Sequence, residues 1–95
     1  MTAYVVFTRE KTINAEELQT YGAMARESFA SHPMTPLVRY GNFEMLEGDP
    51  IEGVAIVSFP TVEEARAWYY SPAYQKAASH RWACAQYRGF IVEGV

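Results

Sequence analysis

One cysteine, Cys84, stands in a chain of 95 residues, so no internal disulfide can form. A fold without covalent staples is held by its own core, and a lone thiol suits a reducing, cytoplasmic compartment. Long apolar runs are missing too. The opening Met1-Thr2-Ala3-Tyr4-Val5-Val6-Phe7 has no basic leader and runs at once into Arg9-Glu10-Lys11, which is too short for a signal-peptide hydrophobic region. Nothing else reaches the length of a membrane span. Nor is there a basic surplus: eight Lys and Arg against eleven Asp and Glu give a net charge of -3, which leaves no footprint for nucleic acid or anionic lipid. The chain has no Gly-rich phosphate loop, no Ser-centred nucleophile elbow and no Cys and His pattern of a thiol hydrolase. His80 and Cys84 are four residues apart, but two ligands do not make a metal site, so neither metal nor cofactor is expected.

What is present is a folded chain rich in rings. Apolar residues make up 49% and charged residues 20% with no low-complexity tract, which predicts one globular domain over residues 1–95. Seven Tyr, five Phe and two Trp exceed what a bare core of this size needs and point to a ring-lined pocket or interface.

Residues 3 to 9 are rich in β-branched and aromatic types and read as a first strand. Asn14 is an expected N-cap with Glu17 completing a capping box, and Ile13 and Leu18 stand at the spacing of a hydrophobic staple. The helix they open carries the stripe Leu18, Tyr21, Gly22, Ala25 and Phe29 and ends near Ser31-His32-Pro33. Residues 36 to 47 read as a long second strand with a bulge at Gly41, and Gly48-Asp49-Pro50 as the turn of a hairpin. Residues 54 to 59 form its third, almost wholly apolar strand. Thr61 and Glu64 make a second capping box, opening a short helix through Ala65, Trp68 and Tyr69. Ser71-Pro72 then starts another, through Tyr74, Ala77, Ala78 and Arg81 to Cys84 or Ala85. Residues 87 to 93 close the chain as a strand. The order βαββαβ predicts an α+β, ferredoxin-like fold: a four-stranded antiparallel sheet with its helices on one face.

That sheet has no polar side. Tyr4 and Val6 on one alternation face Val5 and Phe7 on the other, and Val54 and Ile56 face Ala55, Val57 and Phe59. A second copy of the chain, sheet face against sheet face, is the simplest cover for the side that carries no helices, giving a homodimer.

Leu46-Glu47-Gly48-Asp49, Phe59-Pro60, Ala65-Arg66-Ala67-Trp68-Tyr69, Ser71-Pro72-Ala73-Tyr74-Gln75, Arg81 and Val92-Glu93-Gly94 follow one another in an order that resembles the family called domain of unknown function 1330. The resemblance is close over residues 36 to 95 and looser before them. It implies the dimeric α/β-barrel superfamily, whose members include small monooxygenases, lactone isomerases and heme-degrading enzymes, and it carries no settled activity of its own. Trp68 and His80 loosely echo two positions of the heme-degrading members, but the first-strand Asn that accompanies them is missing. The sequence departs from the family around Arg39, where His32-Pro33-Met34-Thr35-Pro36 and Tyr40 replace glycines, so a ring fills a gap.

Several side chains bear on chemistry. Arg81 falls on the apolar stripe of its helix, where it is either structurally paired or a bidentate clamp for a carboxylate or enolate. Arg39 and Glu47 share one alternation of the second strand. They read either as a structural or interfacial ion pair or as an anion stabiliser with a general base. Tyr21, Trp68, Tyr69 and Tyr74 are core rings or the lining of a crevice between helices and sheet, with His80 at the edge of the buried face. Cys84, between alanines, reads as a small buried hydrophobe. Two functional readings follow. One is a cofactor-independent isomerase or monooxygenase acting on a carbonyl-bearing or phenolic compound; the other is a non-catalytic ligand-binding or structural dimer module.

Overall fold

Three helix starts are fixed by short polar side chains. In a computed structural model that describes residues 1–95, the Oδ1 of Asn14 accepts from the Glu17 amide at 3.1 Å and the Thr61 hydroxyl accepts from the Glu64 amide at 3.1 Å. The Ser71 hydroxyl accepts from the Tyr74 amide at 3.2 Å. Each satisfies one of the amides that a helix start leaves without an internal partner. The reciprocal half of the expected capping boxes is not made: the Glu17 carboxylate meets His80, and one Glu64 oxygen is buried without a partner. Ile13 is 62% exposed and adds little as a staple; its amide and that of Asn14 instead donate to the Cys84 carbonyl.

The elements are β1 (Ala3–Thr12), α1 (Ala15–Ser28), a single 3₁₀ turn (Phe29–Ser31), β2 (Thr35–Arg39), β3 (Gly53–Phe59), α2 (Val62–Tyr69), α3 (Pro72–Cys84) and β4 (Ala85–Glu93). The strands form one antiparallel sheet in the order β2-β3-β1-β4. This is the ferredoxin-like α+β fold. No helix is long and apolar enough to cross a membrane.

The second strand is shorter than the sequence suggests. It stops at Arg39 because Tyr40 turns to φ 53°, in the left-handed region, where its amide donates to the Val54 carbonyl at 2.8 Å. Residues 40–52 are irregular, so the alternation of Phe43, Met45 and Glu47 does not belong to a strand, and all three are exposed. The bulge falls between Pro36 and Val38 rather than at Gly41. That shift sets Arg39 opposite Ala55, on the helix-covered side.

Ala3, Val5 and Phe7 of β1, Phe59 of β3, Tyr21 and Ala25 of α1, Ala65 and Trp68 of α2, and Tyr74, Ala77 and Ala78 of α3 form the core between sheet and helices. Ala77 and Ala78 are fully buried, and their size lets α1 and α3 pack closely. On the other face, Ile56, Val6 and Phe90 lie side by side across three strands, with Phe90 54% exposed.

Gly89 lies opposite Phe7 across the β1–β4 pair, and a Cβ there would come within 2.5 Å of the Phe7 ring. Gly89→Ala therefore displaces Phe7 and lowers unfolding free energy by about 1–3 kcal/mol. The urea midpoint should fall while far-UV circular dichroism stays unchanged.

Candidate functional site

The buried face of α3 is Tyr74, Ala77, Ala78, Arg81 and Cys84, and it brings a charge into the core. Arg81 is 5% exposed. Its guanidinium carbon lies 4.8 Å from the centre of the Phe7 ring, 5.0 Å from that of Tyr87 and 5.8 Å from that of Tyr21. The three ion pairs of the chain join Arg9 to Glu52, His80 to Glu17 and Arg88 to Glu10, so Arg81 has no carboxylate partner. Its Nε is buried without an acceptor. Aromatic faces attract a cation by about 0.5–2 kcal/mol each, but they accept no strong hydrogen bond.

Arg81 forms part of the wall of a cleft of about 630 Å³ between the α2–α3 pair and β4. Phe7, Tyr69, Trp82, Tyr87 and Ile91 supply rings and carbon, and Arg66 a second guanidinium. No Asp or Glu lines the cleft. A second cavity of about 170 Å³ lies between α1 and the β2–β3 side of the sheet, lined by Tyr21, Trp68 and Arg39 among others. Val5 and Phe7 border both.

The predicted residues thus divide. Arg81 and Tyr69 share the larger cleft, whereas Tyr21, Trp68 and Arg39 share the smaller cavity. Tyr74 is fully buried behind both, its ring 4.1 Å centre to centre from Trp68. Glu47 is exposed on the irregular 40–52 segment, borders neither cavity and makes no ion pair with Arg39 within the protomer. The shared alternation that linked the two residues ends with β2. His80 is half-buried and engaged by Glu17 of α1, while the Cys84 thiol donates to the Arg81 carbonyl at 3.6 Å, so the two point to different partners.

Two tyrosine pairs stiffen the wall between the cavities. The Tyr21 and Tyr74 hydroxyls are 2.9 Å apart, and those of Tyr40 and Tyr87 are 2.8 Å apart. Burial, reinforced by Tyr74, pushes the Tyr21 hydroxyl far above the ordinary tyrosine value, and burial with the Tyr87 hydrogen bond does the same for Tyr40. Tyr74 is raised by burial against the opposing pull of Arg81. These phenols are neutral hydrogen-bonding groups at ordinary pH, not bases. Tyr40 lies flat on Gly53, where a Cβ would come within 2.7 Å of its ring, and Arg9 covers the ring at 4.9 Å. Glu52 accepts from the Thr12 hydroxyl at 2.6 Å and amide at 2.7 Å, contacts that hold its carboxyl below the usual range.

Sequence reasoning missed Phe7, Tyr87 and Gly89 as site residues. The alternation of Tyr87, Gly89 and Ile91 carried the signal, but only the register places them beneath Arg81. It also missed Ser28, whose hydroxyl accepts from the Trp68 indole at 3.0 Å and donates to the Ala25 carbonyl at 2.6 Å.

Residues 2–95 match the family described as domain of unknown function (DUF1330). No curated protein is significantly similar to the chain. Among solved structures, a protein of unknown function from Rhodopseudomonas palustris superposes with a TM-score of 0.78 at 19% identity, over 99% of this chain and 82% of that one. SnoaB, a cofactor-independent oxygenase from Streptomyces nogalater, gives 0.69 at 16%, over 99% and 93%. A dimeric ferredoxin-like protein of unknown function from Thermobifida fusca gives 0.69 at 10%, over 97% and 90%. At these identities the likeness is one of fold.

The tyrosine pairs carry a pH signature. A hydroxyl whose folded-state value is raised contributes stability that is fully present below the unfolded value near 10.0 and is lost as pH rises above it. Unfolding free energy from urea titrations should therefore fall between about pH 9.5 and about pH 11, and Tyr21→Phe should fall less over the same range. Equal slopes would remove Tyr21 from this account.

Proposed function

We propose, on the premise that the chain belongs to the family described as domain of unknown function (DUF1330), that it takes a small carbonyl-bearing or phenolic compound into the α3–β4 cleft as its anion and transforms it without a cofactor. The observation that carries this reading is the buried Arg81 side chain, which borders the cleft, pairs with no carboxylate and leaves its Nε without an acceptor. An enolate, phenolate or carboxylate oxygen would supply the missing counter-charge, and a charge-assisted hydrogen bond in such a site is worth about 1.5–3 kcal/mol. Phe7, Tyr69 and Tyr87 offer ring faces to the conjugated body of the same compound.

The cleft has no carboxylate base, and the nearby Tyr21 and Tyr74 are held neutral. The favoured substrate is therefore acidic enough to lose its proton to water before or on entering the cleft, where Arg81 stabilises the anion, as with a phenol or a 1,3-dicarbonyl. Arg81 then holds the oxyanion while the conjugated carbon reacts. Reprotonation at a different carbon is an isomerisation. Reaction of that carbon with dioxygen uses the electron pair of the enolate to form a C–O bond, which oxidises the substrate and reduces the oxygen to a peroxide anion that takes a proton from water to give the hydroperoxide. The similarity in fold to SnoaB supports the oxygenase branch by analogy only.

The same reading places the protein in a reducing cytoplasm, in keeping with a single, fully buried thiol. It also pairs two copies through the row Ile56, Val6 and Phe90, which carries no helix. The fold neighbour from Thermobifida fusca is itself described as dimeric.

Thermal-shift measurements against phenols, β-diketones, lactones and aryl carboxylates test the binding claim, because a ligand at about 100 times its Kd stabilises by about 2.7 kcal/mol whatever its reaction. Compounds that ionise should raise Tm, and Arg81→Met should weaken them about 10- to 100-fold. Unchanged binding and turnover in Arg81→Met would refute the mechanism. Sedimentation at micromolar concentration should show a dimer that Ile56→Asp converts to monomer; a wild-type monomer would refute the pairing.

A further inference from the structure

The cavity beneath α1 belongs to neither the cleft nor the proposed reaction. Its interior is mostly carbon, from Val5, Ala25, Phe29, Val57 and Trp68, and its buried polar groups, the Trp68 indole N–H and the Tyr21 hydroxyl, are already satisfied by Ser28 and Tyr74. Its only charged lining groups are Arg26 of α1 and Arg39 of β2. Neither is in an ion pair, and no Asp or Glu lines the cavity, although acids outnumber bases eleven to eight in the chain. Two solvent-accessible guanidinium groups thus border one apolar hole, with no carboxylate among its lining residues.

Gly22 borders the same space. A glycine inside a helix lowers its stability relative to almost any other residue, so a mid-helix glycine needs a reason. Close packing is not the reason here. A Cβ at Gly22 would meet nothing nearer than Arg26 Nη1 at 3.7 Å, an ordinary van der Waals distance. Gly22 lines the cavity, so a side chain much larger than a methyl group at this position would occupy the hole.

We propose that this cavity is a second ligand site, specific for a small aryl or short alkyl monocarboxylate: the apolar body fills the hole and the carboxylate bridges Arg26 and Arg39. The size fits, since apolar cavities of about 150 Å³ take up benzene. Drug-sized ligands need about 300 Å³ or more. Guanidinium groups recognise carboxylates by paired, parallel hydrogen bonds, which a hydroxyl or an ammonium cannot reproduce.

An amide-resolved NMR titration of the full chain with benzoate, phenylacetate and hexanoate, and with benzyl alcohol and benzylamine as controls, tests this. Saturable shifts should centre on Gly22, Ala25, Arg39 and Ala55, with the alcohol and amine at least about tenfold weaker than the acids. The double variant Arg26→Met/Arg39→Met should lose about tenfold or more in benzoate affinity. Gly22→Leu should close the cavity and abolish binding, with Gly22→Ala, which keeps most of the space, as the control for folding. Arg81→Met should leave the site intact, which separates failure here from failure of the cleft. No saturable binding of any acid up to its solubility limit would overturn the proposal. So would unchanged affinity in the double variant, or shifts centred on Trp82, Ala85 and Tyr87.

Discussion

Arg81 is enclosed by the rings of Phe7, Tyr21 and Tyr87 with no carboxylate in reach, and most of the arrangement around it follows from that placement. Removing a guanidinium from water costs several kcal/mol after relaxation. Three ring faces return about 0.5–2 kcal/mol each, which roughly offsets the loss without turning it into a gain. The residue is therefore tolerated by the fold and is not a main source of its stability. An anion entering the cleft would change that balance, because it offers a charged acceptor, which ring faces do not.

The supporting parts are fitted to this charge. Gly89 lets Phe7 lie flat across β4, Gly53 does the same for Tyr40, and Tyr40 takes a left-handed conformation that brings its hydroxyl to Tyr87. Left-handed backbone at a bulky residue is unfavourable and persists only where neighbours impose it. Here those neighbours are the Gly53 surface, the Arg9 guanidinium and the Tyr87 hydroxyl. The outcome is a stiff aromatic wall with Arg81 on one side and the arginine-rimmed cavity on the other.

Much of the fold was legible because local chemistry and global pattern agree. Asn14, Thr61 and Ser71-Pro72 mark the helix starts, and the β-branched runs mark β1 and β3. The end of the second strand is not legible, because Phe43, Met45 and Glu47 alternate like a strand while lying exposed in an irregular segment. A positive φ at a tyrosine has no sequence signal, so nothing announced that β2 ends at Arg39. Glu47 lies in that irregular segment and so does not share a strand face with Arg39. Burial of Arg81 was readable from helical spacing, since it falls on the face of Tyr74, Ala77 and Ala78. Its ring partners were not, because Phe7 and Tyr87 come from strands distant in sequence and only the register brings them together.

The most direct test of the central claim needs no ligand. If Arg81 is held for function, replacing it with a residue of similar shape and no charge removes a desolvation cost together with the ring contacts. The thermal stability of ligand-free Arg81→Met should then match or exceed that of the wild type. A loss of about 3–5 kcal/mol, as when one partner of a buried ion pair is removed, would show instead that the guanidinium is a structural tie, and the anion site would have no basis.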